Sequence, residues 1–239
     1  MFKKKLGEMD ITIKVLFTSF ILVISFGYIA ALTNIYIGHK YADGEPGLSM
    51  KDIVITYYGD RESTLLETKS LGTMRPYYDS DADIETVIGW VDAGSERIEY
   101  EKVIAPIFKK SCTECHSSRG TESDTPLTTY DEVIKYVKVS KGIEVVRLST
   151  LSHTHLISHS MMFFILSVIF LFTSIKDRNK IILIVLAYIG ILGDVASWWL
   201  SKLAPGFAYM SVICGAILGI TFLFFFFVPL YEMWLAKNR

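Results

Sequence analysis

Four apolar stretches constrain this chain more than any other feature: VLFTSFILVISFGYIAALTNIYI at 15–37, LISHSMMFFILSVIFLFTSI at 156–175, IILIVLAYIGILGDVASWWL at 181–200 and FAYMSVICGAILGITFLFFFFVPLY at 207–231. Each has 20 or more residues. At about 1.5 Å of rise per residue, a helix of that length crosses a hydrocarbon core about 30 Å thick. Four transmembrane helices follow, the second counted from 154. The first stretch opens behind MFKKK, which looks like the start of a signal peptide. Its 23 apolar residues exceed the usual h-region, and no convincing small-x-small cleavage site follows, so the expectation is an uncleaved anchor.

Charge sets the expected orientation. Lys3, Lys4, Lys5 and Lys14 precede the first span, Lys176, Arg178 and Lys180 occupy the turn after the second, and Lys237 and Arg239 end the chain. By the positive-inside rule 1–14, 176–180 and 232–239 are cytoplasmic, while 38–153 and the SKLAPG turn lie outside. In a bacterium this is a multi-pass protein of the inner membrane, N-in and C-in, with 38–153 in the periplasm. That outer segment holds 14 Lys and Arg against 20 Asp and Glu, a net of −6. Such a balance argues against nucleic acid and anionic lipid as partners, and suits a basic soluble protein.

The outer segment reads as mostly helical. DADIETVIGWVDAG has Asp81 or Asp83 as N-cap, apolar residues at helical spacing and Gly94 as stop. EYEKVIAPIFKK places Val103, Ile104, Ile107 and Phe108 on one stripe, and TTYDEVIKYVKV opens with Thr129 and Glu132 in capping-box spacing. GDRESTLLETKSLG reads as a shorter helix closed by Gly72, and DIVITYY as a strand or a helix start. With few aliphatic core positions the domain would be thin unless something large and apolar filled its centre, as a porphyrin would.

Three cysteines occur: Cys112 and Cys115 in the outer segment, within SCTECH, and Cys214 inside the fourth span. Cys214 reads as a small packed hydrophobe. Cys-x-x-Cys-His spacing lets two thiols add to the two vinyl groups of one haem while the adjacent histidine serves as proximal iron ligand. A zinc knuckle would need two further ligands that no second Cys or His pair supplies, a thioredoxin-type dithiol would want a βαβ context, and a plain disulfide leaves His116 unexplained. Haem c is therefore the leading reading, with these three as alternatives.

The stretch VIAPIFKKSCTECHSSRG followed by PLTTYDEV resembles the small bacterial c-type cytochrome domains, as does the helix IETVIGWVDAG. The likeness covers roughly 84–134. It implies thioether roles for Cys112 and Cys115 and a proximal-ligand role for His116. The membrane part resembles respiratory-type multi-span proteins in outline alone, which implies no function. Such cytochrome domains usually carry a distal Met downstream of the motif, and here none follows His116 before the membrane. Met74, in LGTMRP, is the first candidate distal ligand, and His153 or His155, at the mouth of the second span, the alternative.

The spans hold a second cluster. His155 and His159 are four apart and share a helix face, and Asp194 lies six residues inside the outer end of the third span, about 9 Å deep. Trp198 shares the face of Asp194. A bland reading is an aromatic belt with an Asp–His hydrogen bond; the sharper ones are a quinol site in which Asp194 or His159 accepts the proton, or a haem b or copper held by His39, His155 and His159. The expected whole is mainly α: four transmembrane helices with a mostly α-helical periplasmic haem c domain inserted between the first two. Its expected function is one-electron relay within a respiratory chain or complex, between a membrane donor and a periplasmic carrier. Quinol oxidation, or a structural or assembly role in a respiratory complex, is the alternative.

Overall fold

The structure, a computed structural model, describes residues 5–236; Lys3, Lys4, Lys237 and Arg239 of the charge bias lie outside the described residues. In chain order the α-helices are α1 (Ile11–His39), α2 (Met50–Tyr57), α3 (Leu65–Leu71), α4 (Asp81–Asp92), α5 (Arg97–Glu99), α6 (Ala105–Ser111), α7 (Tyr130–Val133), α8 (Val145–Leu171), α9 (Asp177–Leu200) and α10 (Phe207–Trp234). Among the described residues there is no β-strand, only an isolated antiparallel bridge between Thr64 and Val139. The chain divides into two compact units, Gly38–Ile143 and the flanking apolar helices.

In the apolar unit all four long helices are long and hydrophobic enough to cross a membrane. Their outward faces carry large apolar side chains such as Val23, Phe26, Leu192 and Phe227, as lipid contact requires. α8 begins at Val145, ahead of the apolar run at 154, because a helix needs only satisfied backbone groups and its first turns carry Arg147, Ser149 and Thr150. It stops at Leu171, short of 175. The core is Phe163, Leu166, Phe170, Ile191, Leu218 and Phe225, and α1 joins it through Ile21 and through Tyr28, stacked on Phe222 at 4.3 Å.

The closest approach is between α9 and α10. A Cβ on Gly193 would come within 2.6 Å of Cys214 Sγ, and one on Gly190 within 3.0 Å of the Leu218 side chain. Small residues at such a crossing let two membrane helices pack backbone to backbone.

At the other end of these helices the carbonyls at and just past the end of α8 meet basic and backbone donors. Lys180 Nζ donates to Leu171 O at 2.9 Å, Leu6 N to Phe172 O at 3.1 Å and Lys5 Nζ to Thr173 O at 3.4 Å. Cations at a helix C-terminus satisfy orphan carbonyls and oppose the negative end of its dipole. Glu232 of α10 accepts from Ser174 N at 2.8 Å and Ser174 Oγ at 2.6 Å, and Trp234 Nε1 donates to Thr18 Oγ1 at 2.9 Å. The start of α1, the α8–α9 turn and the end of α10 therefore share one end of the unit.

The Gly38–Ile143 unit is helical as expected, with the capping box at Thr129 and Glu132 and a C-cap at Gly72. DIVITYY resolves as helix, started by Ser49, whose hydroxyl accepts from Asp52 N while Asp52 accepts from Ser49 N. α4 is capped by Ser80 rather than Asp81 or Asp83, since Ser80 has the extended backbone an N-cap requires and both aspartates fall in the first turn. The stripe ahead of SCTECH also differs. Tyr100, Ile104 and Phe108 are buried, and Val103 is exposed. A π-helical segment at Tyr100–Ile104 rotates the phase, and it precedes Pro106, which has no N–H to continue the ladder. Trp90, Tyr100, Phe108 and Val133 form a core of side chains, so the domain has a centre of its own.

Candidate functional site

Helix α6 ends at Ser111, and the motif follows as a tight turn. Cys112 N bonds Phe108 O at 2.8 Å, and His116 N bonds Cys112 O at 2.9 Å. All three cysteines are free thiols. Cys112 packs against the core of Trp90, Tyr100 and Phe108, and Cys115 is exposed. Burial pushes the Cys112 thiol up to about 11, against a lowering hydrogen bond from the Tyr78 hydroxyl. Burial, followed by the charge of Cys112, also raises the Tyr78 phenol, whose hydroxyl lies 2.9 Å from Ser70 Oγ.

His116 is fixed by the loop that follows it. Its Nδ1 lies 2.8 Å from Thr125 O and 2.9 Å from Thr125 Oγ1. A carbonyl oxygen only accepts, so Nδ1 is the donor, and in the neutral imidazole that leaves the lone pair on Nε2. A metal-ligating histidine needs this arrangement, its second nitrogen oriented by a backbone carbonyl. Leu127 N closes the loop onto His116 O at 2.9 Å, and Glu122 N onto Cys115 O at 3.0 Å. Gly120 passes against the motif so closely that a Cβ there would lie 2.0 Å from Cys115 O.

The residues present suit a covalent haem: two free thiols on one turn and a histidine with its outer nitrogen available. Two hydroxyls near the motif, Tyr100 Oη in the core and Ser111 Oγ just before Cys112, are buried without a hydrogen-bond partner. Among the described residues no three His, Cys, Asp or Glu side chains converge on a metal-ion site.

Of the candidate distal ligands, Met74 sits half-buried in the turn before Arg75–Tyr77. Its loop borders the motif, since Tyr78 reaches Cys112 and Asp79 pairs with Lys110 near the end of α6. His153 is exposed on α8. His155 is engaged within the membrane unit, its ring stacked on His159 at 5.1 Å and 15° and set edge-on to Trp198 at 5.0 Å. His39, at the end of α1, lies with its ring 6.2 Å from that of Tyr57.

The membrane cluster is brought together from three helices. Asp194 Oδ1 accepts from Ser211 Oγ at 2.7 Å, and Ser211 Oγ accepts in turn from Trp198 Nε1 at 3.2 Å. His155, His159 and Asp194 line one cavity with Ile191, Val195 and Leu218. Its volume of about 10 Å³ corresponds to about one water. Pockets that bury a drug-sized ligand measure roughly 300–1,000 Å³.

Sequence reasoning missed the partners of these groups. Ser211 has nothing in its apolar surroundings to mark it as a partner, and its position opposite Asp194 follows from the Gly193–Cys214 approach. Thr125 acts through its carbonyl, and the one local signal was Pro126, which holds the preceding residue extended.

Apolar length, a lipid-facing surface and helices that pack through small residues define a multi-span α-helical membrane protein, here with a helical unit inserted in the chain between α1 and α8. A family model described as a transmembrane helical domain matches residues 132–239, which takes in α8, α9 and α10 and leaves out the Cys-x-x-Cys-His turn. No curated protein and no solved structure matches the chain.

Proposed function

We propose that the chain is a membrane-bound monohaem c-type cytochrome that relays single electrons within a respiratory chain. The observation that carries this reading is the His116 side chain, with Nδ1 bound to Thr125 O at 2.8 Å and Nε2 available, directly after two free thiols. Cys112 and Cys115 would form the thioethers, His116 would ligate the iron, and the buried, unpartnered Tyr100 and Ser111 hydroxyls would be available as donors to the haem's carboxylates. Bound there, the haem would supply one-electron Fe(III)/Fe(II) cycling. The chain's own part would be to orient the imidazole through Thr125, exclude water with Trp90, Tyr100 and Phe108, and offer Met74 as a further iron ligand from the loop that Tyr78 and Asp79 tie to the motif.

The basic residues around the α8–α9 turn support an orientation with both termini in the cytoplasm and Gly38–Ile143 in the periplasm of a bacterial inner membrane. With its net acidity, that unit suits a basic periplasmic carrier, alongside partner subunits of a respiratory complex.

Visible spectra of the purified full chain, reduced and oxidised, test the reading. A c-type spectrum that titrates with one electron and is absent from Cys115→Ala is the expected result. A chain that matures without any haem spectrum overturns it.

A further inference from the structure

The electron relay proposed at Cys112, Cys115 and His116 assigns no role to the polar cluster in the membrane unit, yet that cluster is built. Asp194 lies six residues inside the end of α9, about 9 Å along the helix, where an ionisable group is costly unless it has a task. The α9–α10 approach at Gly193 sets it against Ser211, which donates at 2.7 Å.

On α8 the imidazoles are equally constrained. His155 Nδ1 lies 2.9 Å from Leu151 O and His159 Nδ1 2.9 Å from His155 O. Both partners are carbonyls, so both Nδ1 atoms are donors, and Nε2 is the nitrogen each ring has left for the cavity it lines. The remaining walls, Ile191, Val195 and Leu218, are aliphatic.

We propose that Asp194, His155 and His159 form an intramembrane proton-binding site in which the two imidazoles hold one exchangeable proton in common, opposite the Asp194 carboxylate and around a single water. The stoichiometry follows from geometry. Rings stacked 5.1 Å apart between aliphatic walls repel one another strongly as two imidazoliums, while one carboxylate balances one positive charge. Each neutral ring offers an Nε2 acceptor, so the water can carry the proton between them. Among the described residues, Tyr28 on α1 and Cys214 on α10 are further titratable side chains within the field of Asp194. A phenol and a thiol are ordinarily neutral near pH 7, which leaves the charge balance to the carboxylate and the histidines. The site moves protons only and stands independently of the haem reading.

The test is imidazole nitrogen NMR of the full chain labelled with ¹⁵N-histidine, in phosphatidylcholine nanodiscs, between about pH 5 and pH 8. Wild type is compared with Asp194→Asn, His155→Gln and His159→Gln. One imidazolium per chain is expected from the pair in wild type, and still one in each histidine variant. Asp194→Asn is expected to lower the midpoint by at least one pH unit, a tenfold loss of proton affinity. Two imidazoliums from the pair in wild type falling to one in each histidine variant, none from the pair once the signals of His39, His116 and His153 are set apart, or a midpoint unmoved in Asp194→Asn would each overturn the proposal. The count in the histidine variants decides the matter even where Asp194→Asn fails to fold.

Discussion

Gly120→Ala probes how tightly the Cys-x-x-Cys-His turn is held. A Cβ on Gly120 would lie 2.0 Å from Cys115 O, 2.5 Å from Cys115 C and 2.7 Å from Glu114 O, whereas ordinary contact begins near 3.4 Å. All three obstacles are backbone, so no side chain can swing aside. The turn itself must move, and the hydrogen bond from Glu122 N to Cys115 O at 3.0 Å is strained with it. Overpacking costs about 1–3 kcal/mol, and a backbone obstacle argues for the upper end. For a unit of this size about 3 kcal/mol lowers the melting midpoint by roughly 12–24 °C. Gly89→Ala, in the middle of α4 with nothing within 4 Å of the added carbon, is the control. It should stabilise by about 0.5–1 kcal/mol, since alanine loses less freedom than glycine in a helix. Thermal melts of the two full-length variants, followed by near-ultraviolet circular dichroism, measure both. If Gly120→Ala melts with wild type while Gly89→Ala behaves as expected, the close approach is refuted.

Three further outcomes are expected. Gly193→Ala should destabilise the membrane unit by about 1–3 kcal/mol by pressing on Cys214 Sγ; the double variant with Cys214→Ala should recover most of that loss in denaturation measurements, and additive effects would contradict the contact. Hydrogen bonds from Thr128 hold the Glu132 carboxyl below the usual carboxylate range. Its stabilising contribution is therefore complete above the unfolded-state value of about 4.3 and is lost as pH falls through the folded value. Glu132→Gln should flatten the acid limb of a pH–stability profile, and an unchanged limb would count against the capping box. Met74→Ala, on the reading of Met74 as distal ligand, should lower the reduction potential and change the oxidised spectrum, whereas an unchanged potential in redox titration would move that role to another residue.

Apolar length made the four membrane helices legible, because crossing lipid leaves a helix few alternatives. The Thr129–Glu132 box and the Gly72 stop were legible for a similar reason, since each satisfies backbone groups within its own turn, the box through side chains and Gly72 through its N–H to Thr68 O at 3.1 Å. What escaped depended on distant partners or on backbone atoms. The π-helical segment at Tyr100–Ile104 shifted the buried stripe from Val103 to Tyr100, and the apolar pattern gives no sign of an inserted phase. The candidate site divides along the same line. SCTECH was visible as spacing, whereas the carbonyl of Thr125 and the hydroxyl of Ser211 become partners only once loops and helices are folded.

The central claim is that the turn at Cys112 to His116 holds one covalent haem. A pyridine haemochrome spectrum of the purified full chain, with haem stoichiometry per polypeptide, measures it most directly. One haem c per chain, no haem b, and loss of the signal in Cys112→Ala is the result predicted here. A chain free of haem with Cys112 and Cys115 joined as a disulfide would contradict it.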